Sequence, residues 1–83
     1  MGWLCYLLRC ADGTLYCGIT NNLDKRLAAH NAGTASKYTR VRLPVALVYA
    51  EPCESRSAAS KREMEIKGLT REKKLALIRT GPG

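Results

Sequence analysis

Five side chains in this sequence are of types that hold charge or move protons: Tyr6, Tyr16, Arg26, His30 and Glu63. The two phenols stand ten residues apart, and the guanidinium and imidazole four apart. On a helix turning ~100° per residue, His30 falls between the apolar Leu23 and Leu27, with Arg26 at the edge of the same arc. A cation and an imidazole therefore lean toward whatever that helix covers. The plainer alternative is that Arg26 snorkels at a rim and His30 is a satisfied, half-buried histidine. Glu63 shares a face with Ala59 and Ile66, whereas Glu65 points away toward solvent. An inward carboxylate must be paired, protonated or bound to a metal, because an isolated buried charge costs too much. An Arg26–Glu63 ion pair would satisfy both groups with no chemistry at all.

These groups need elements to position them. Residues 3–10 form a short apolar run that suits a strand covered on both faces, and residues 14–20 alternate as a second strand. Between them, Ala11-Asp12-Gly13 fits a three-residue hairpin loop with glycine in the left-handed position. That loop length makes Leu8 oppose Tyr16 and Tyr6 oppose Gly18, so both phenols share one face of the hairpin. A two- or four-residue loop would put them on opposite faces. Gly18 leaves space beside the Tyr6 ring, a reason for glycine inside a strand. Tyrosines are nonetheless common in strands, and two of them prove little alone.

A helix follows, with Asn21 as its N-cap, Asp24 in its first turn and Gly33 as its stop. Residues 34–43 read as a polar, basic loop. Residues 44–50 read as a third strand, with Pro44 tolerated at the first position. A second helix is expected over 57–67, ended by Gly68, and a third from the cap Thr70 to about Arg79. Residues 80–83 read as a loose tail. The order ββαβαα predicts one α/β (α+β) domain over residues 1–83, with its core at about 3–79. Its small three-stranded sheet, antiparallel or mixed, is flanked by three helices. On this layout the five groups come from two strands and two helices and converge on one side of the sheet.

Length and composition bound the setting. Eighty-three residues leave room for one modest core, and 46% hydrophobic with 25% charged residues is a globular composition. Fourteen Lys+Arg against seven Asp+Glu give a net charge of +7, which favours a polyanion such as nucleic acid or an anionic surface. Cys5, Cys10, Cys17 and Cys53 are spaced too irregularly for paired zinc ligands, and Cys5 and Cys10 face opposite sides of one strand. No apolar run approaches the ~20 residues that span a bilayer, and the N-terminus lacks signal-peptide character. The expected setting is cytoplasmic, with reduced thiols packed as small hydrophobes and no membrane partner.

The ordered set of residues resembles the GIY-YIG nuclease family, in particular its small stand-alone bacterial members. The carriers are Cys5-Tyr6-Leu7, Tyr16-Cys17-Gly18, Asn22-Leu23-Asp24-Lys25-Arg26-Leu27 leading to His30, Lys37-Tyr38-Thr39-Arg40, and Arg62-Glu63 with Ile66-Lys67. The name-giving triplets depart from the pattern at Cys5, where glycine often stands, and at Cys17, in place of isoleucine. Tyr6, Tyr16 and Gly18 keep their positions. The resemblance implies metal-dependent endonucleolytic hydrolysis of phosphodiester bonds, usually in DNA, with repair or recombination as the setting. It makes Glu63 the ligand of a single Mg²⁺ (or Mn²⁺), Arg26 the contact to the scissile phosphate and Tyr6 the general base. Tyr16 and His30 assist by hydrogen bonding and proton handling. Lys37, Tyr38, Arg40 and Arg42 would contact the nucleic acid, and Lys61, Lys67, Arg71, Lys73 and Lys74 form a second basic cluster. Another protein would supply substrate choice, because the family's large nucleases carry a separate DNA-binding domain. Two other readings remain: a basic nucleic-acid-binding module that keeps the fold without cleaving, and an adaptor with an internal Arg26–Glu63 ion pair.

Overall fold

The computed structural model describes residues 2–81. Strand β1 (Trp3–Arg9) turns through the hairpin loop into β2 (Leu15–Thr20), and helix α1 (Leu23–Asn31) follows. A short helix α2 (Lys37–Arg40) precedes β3 (Ala46–Cys53), and α3 (Arg56–Lys67) and α4 (Arg71–Thr80) complete the chain. The sheet is wholly antiparallel with order β2-β1-β3, so β1 is central and both other strands are edges.

The hairpin has the expected register. Tyr6 pairs with Gly18 and Leu8 with Tyr16. The three-residue loop is closed by the Cys10 amide donating to Thr14 O at 2.9 Å, and Gly13 takes φ +85°, which a side chain would strain. Asp12 Oδ1 accepts from the Thr14 amide and hydroxyl, fixing the turn from inside.

Three boundaries differ from the sequence expectation. The N-cap of α1 is Asn22, whose side chain accepts from the Lys25 amide, and not Asn21. Residues 34–43 are not all loop: Ser36 caps α2, which makes four helices in place of three. The third strand runs 46–53 instead of 44–50, with Pro44 ahead of it and Pro52 inside it. Pro52 is tolerated because β3 lies at the sheet edge, where one row of N–H groups has no ladder partner to lose. Helix α3 starts at Arg56 under a Ser55 cap, and α4 is capped by Thr70 as expected. Thr80 still belongs to α4, and residues 82–83 of the expected tail lie outside the described residues.

The central strand divides the core into two. On one face Cys5, Leu7 and Cys17 pack with Tyr49 and with Ile66 of α3, joined by Leu69, Leu77 and Ile78 from the C-terminal helical region. On the other face Tyr6, Leu8, Cys10 and Val45 pack with Leu23 and Leu27 of α1 and with Tyr16 and Leu43. Cys5 and Cys10 thus do face opposite sides, and all four cysteines are free thiols. The edge of β3 is pinned by Arg62, which donates to both carboxylate oxygens of Glu51 at 3.0 and 3.1 Å. Tyr49 Oη donates to the same carboxylate at 2.7 Å. Burial and this carboxylate push the Tyr49 phenol up to about 12.

Ile66 is fully buried at the centre of the first cluster. Replacing it with alanine removes apolar contact and leaves a cavity, at a cost of about 2–5 kcal/mol. In urea unfolding, Ile66→Ala should lower the free energy extrapolated to water by that amount, with a lower midpoint and an unchanged slope.

Candidate functional site

The site begins with the approach of Tyr6 to Gly18. The Tyr6 ring lies across the glycine, so closely that a Cβ at position 18 would stand 2.5 Å from the phenol oxygen and 2.6 Å from Cζ. Glycine is required there by contact, not by backbone angle. The ring therefore passes over β2, and its hydroxyl meets His30 Nε2 at 2.9 Å. His30 is 1% exposed, so the expected half-buried histidine is in fact a core residue. Its second nitrogen, Nδ1, lies 2.8 Å from the hydroxyl of Thr39, itself fully buried at the foot of α2.

Tyr16 completes the cluster from β2. Its ring stands edge-on to His30 with centroids 5.2 Å apart, and it stacks on Tyr38 of α2 at 5.8 Å. Arg42 closes the stack: its guanidinium lies 3.9 Å from the centroid of the Tyr38 ring, donates to Tyr38 O and pairs with Asp12 Oδ2 at 3.1 Å. Arg42 and Tyr38, expected to meet nucleic acid, are here committed to internal contacts that tie the hairpin loop to α2. Lys37 and Arg40 are exposed on α2.

The charged groups flank this cluster. Arg26 is exposed on α1 and lines an open pocket of 310 Å³ with Thr20, Asn21, Asn22, Lys25 and Ala29. Lys25, whose helical position pointed elsewhere, shares that pocket. Arg26 is near enough to act on both partners of the central hydrogen bond. Burial, then the Tyr16 hydroxyl, push the Tyr6 phenol above its ordinary range, and Arg26 pulls it back. Burial, then Arg26, hold the His30 imidazolium below its usual value, so the ring is neutral at pH 7.

Glu63 comes from the other side. Helix α3 packs on the Cys5–Leu7 face, across β2 and β1, whereas α1 covers the Tyr6 face. The expected convergence on one side of the sheet is thus corrected: the groups meet around edge strand β2 from both faces. Glu63 bears electrostatically on Cys17 of one face and Tyr6 of the other. It forms no ion pair with Arg26 among the described residues. Its partner is Lys67, at 3.6 Å and more than half exposed, a loose and weak pairing. Glu65 is the solvated acid expected, beside Arg62. No cluster of three or more His, Cys, Asp or Glu among the described residues could hold a metal. A lone carboxylate, 23% exposed, fits only an ion that keeps most of its waters, as Mg²⁺ does.

Thr39, named above only within the Lys37–Arg40 run, and Asp12 are contributors whose roles the sequence did not show. Thr39 sits in a four-residue helix too short to show a period, and Asp12 reads as an ordinary turn residue.

Gly18→Ala should drive the Tyr6 ring off its seat, at a cost of about 1–3 kcal/mol in thermal or urea unfolding, and break the Tyr6–His30 bond seen as a shift of the imidazole nitrogen resonances. His30 is the only histidine, so its proton titration is read without overlap. Its midpoint should lie below the model-peptide value of about 6.5. Arg26→Gln should raise it, since removing a neighbouring cation favours the imidazolium. Between the folded and unfolded midpoints the unfolded chain binds more protons, so stability should fall as pH drops through that window.

Three comparisons place this geometry in a family. The model of the GIY-YIG catalytic domain matches residues 2–76. The UPF0213 protein of Desulfotalea psychrophila is 50% identical over 93% of this chain and 71% of its own length. That of Natronomonas pharaonis is 55% identical over 88% of this chain and 86% of its own. The solution structure of the UPF0213 protein of Bacillus halodurans superposes with a TM-score of 0.63 at 38% identity, covering 100% of this chain and 88% of that one. With both motif tyrosines on one face of the hairpin and the α+β order ββαβαα kept apart from the short added helix α2, the chain belongs to the GIY-YIG family and has its nuclease fold.

Proposed function

We propose that this domain hydrolyses phosphodiester bonds in DNA with the help of one divalent cation, Mg²⁺ or Mn²⁺, held at Glu63. The observation that carries the reading is the buried Tyr6–His30 hydrogen bond beside an exposed Arg26. A neutral imidazole 2.9 Å from a phenol can take its proton. In the reaction, water attacks phosphorus as the bond to the leaving alkoxide breaks. The water's proton passes to the Tyr6 oxygen as the phenol proton passes to His30 Nε2, and the departing alkoxide takes a proton from bulk water to leave as the alcohol.

The neighbours bear on that transfer in opposite directions: burial and Tyr16 hold the phenol protonated, and burial and Arg26 work against the imidazolium. Arg26 favours the phenolate by charge and, at the phosphate, neutralises the negative charge that grows on the non-bridging oxygens. Tyr16 packs its ring edge against His30 and limits the swing of the imidazole. Lys25, Lys37 and Arg40 are exposed cations available to backbone phosphates, which position a strand without reading its bases. When bound, the cation at Glu63 supplies Lewis-acid polarisation and charge neutralisation. Repair or recombination would provide substrates of this class.

One observation favours a non-cleaving nucleic-acid-binding module instead. Burial holds the Tyr6 phenol protonated well above neutral pH, and each unit by which the site must lower it requires about 1.4 kcal/mol.

The deciding experiment is cleavage of plasmid, single-stranded and branched DNA with Mg²⁺, with and without chelator. Wild type should cleave only with the cation, Glu63→Ala should lose cleavage, and Tyr6→Phe should slow it about 10²–10⁴-fold while binding persists. Cleavage unaffected by Glu63→Ala would refute the assignment. Binding by all variants with cleavage by none would establish the module.

A further inference from the structure

The hydrogen bonds around His30 carry information about where its single proton resides. Three donors occupy this buried chain: the Tyr6 hydroxyl, the imidazole N–H and the Thr39 hydroxyl. Three acceptor positions lie in line with them. Tyr6 Oη faces Nε2 at 2.9 Å, Nδ1 faces Thr39 Oγ1 at 2.8 Å, and Thr39 Oγ1 faces Ser36 O at 3.4 Å.

Only one direction uses every proton. If Nδ1 carries the hydrogen, it donates to Thr39, Thr39 donates to the Ser36 carbonyl, and Tyr6 donates to Nε2. If Nε2 carries it instead, Tyr6 becomes the acceptor and its own hydroxyl proton has no second partner among the described residues, on a side chain 2% exposed. A buried donor without an acceptor is the costlier arrangement. Back-bonding from a helical threonine to the carbonyl three residues earlier is also a common orientation for that hydroxyl.

We propose that Thr39 is a positioning residue that holds His30 as the Nδ1–H tautomer and so leaves Nε2 open toward Tyr6. Its catalytic consequence rests on the nuclease reading: an imidazole in this tautomer can accept the phenol proton, and one in the other tautomer cannot. Thr39 touches neither phosphate nor water. It acts through His30, as the partner of a ring nitrogen commonly sets the state of the other. Helix α2 thereby has a role beyond covering the core, since Ser36 caps it and also receives the last hydrogen bond of the chain.

The single histidine makes the test direct. With nitrogen-15-labelled imidazole at neutral pH, wild type should show a protonated Nδ1 and an unprotonated Nε2. The Nδ1 proton should give a nuclear Overhauser effect to the Thr39 side chain, a readout that needs no variant. Thr39→Val, which keeps shape and removes the hydroxyl, should move the proton toward Nε2 and slow cleavage about ten- to a hundredfold. DNA affinity should be unchanged in that variant, and Thr39→Ser should restore both the tautomer and the rate. A wild-type Nε2–H tautomer, an Nδ1 proton with no contact to Thr39, or an Nδ1–H tautomer that survives Thr39→Val would each overturn the inference. If the tautomer responds as expected but no chain cleaves DNA, the nuclease reading fails and the positioning of His30 by Thr39 stands.

Discussion

The hydrogen bond from Tyr6 to His30 is the constraint around which the rest of this small protein is arranged. Both side chains lie in the core, at 2% and 1% exposure, where an unsatisfied polar group costs far more than the same group at the surface. The bond therefore cannot stand alone. His30 needs a partner for its second nitrogen, which brings in Thr39 and with it α2. Tyr6 needs a path across β2, which Gly18 opens. Tyr16 then covers the imidazole from the side, Tyr38 stacks on Tyr16, and the Asp12–Arg42 pair holds that stack to the hairpin loop. A buried polar network is stabilising only when complete, and here no buried side-chain polar atom among the described residues lacks a partner.

The parts of this arrangement that follow a short period were legible in the sequence. Strand alternation with a three-residue turn was enough to place Tyr6 against Gly18, because a one-residue slip would have moved every side chain to the other face. The inward lean of His30 came from the helical stripe of Leu23 and Leu27. The parts that depend on tertiary choice were not legible. A four-residue helix has no stripe to read, and its one core residue, Thr39, is polar. Glu51-Pro52-Cys53 reads as the end of a strand, yet it pairs with β1 because the edge position forgives the proline. The inward carboxylate at Glu63 was visible, but not the side from which it arrives. Periodicity says that a face is covered, not which face of the sheet the helix covers.

That last point changes how the site is built. Two core clusters, one on each face of β1, leave little space for charged groups within either. Gathering the charged groups around edge strand β2 resolves the conflict: Tyr6 and His30 stay dry on one face, while Arg26 and Glu63 keep contact with water. Arg26 and Glu63 act oppositely on the Tyr6 phenol, the one lowering and the other raising its pKa. An ion pair between them would cancel both fields. Kept apart, each remains available to an incoming group of opposite charge, and among the described residues Glu63 pairs only with the exposed Lys67.

The net charge of +7 takes on local meaning in the same way. Arg42 and Arg62 pair with Asp12 and Glu51 and stabilise the hairpin and the β3 edge. Their positive charge is largely spent inside the molecule. Lys25 and Arg26 on α1, and Lys37 and Arg40 on α2, make no ion pair among the described residues and are all exposed. They occupy the two helices that bracket His30 and its partners. Exposed cations on either side of the dry Tyr6–His30 pair make this face positive without charging the imidazole itself, because burial and Arg26 both act against its protonation. An acidic residue in place of Arg26 would reverse both effects at once, making this face less positive and favouring the imidazolium, so one position sets both the local field and the state of the buried ring.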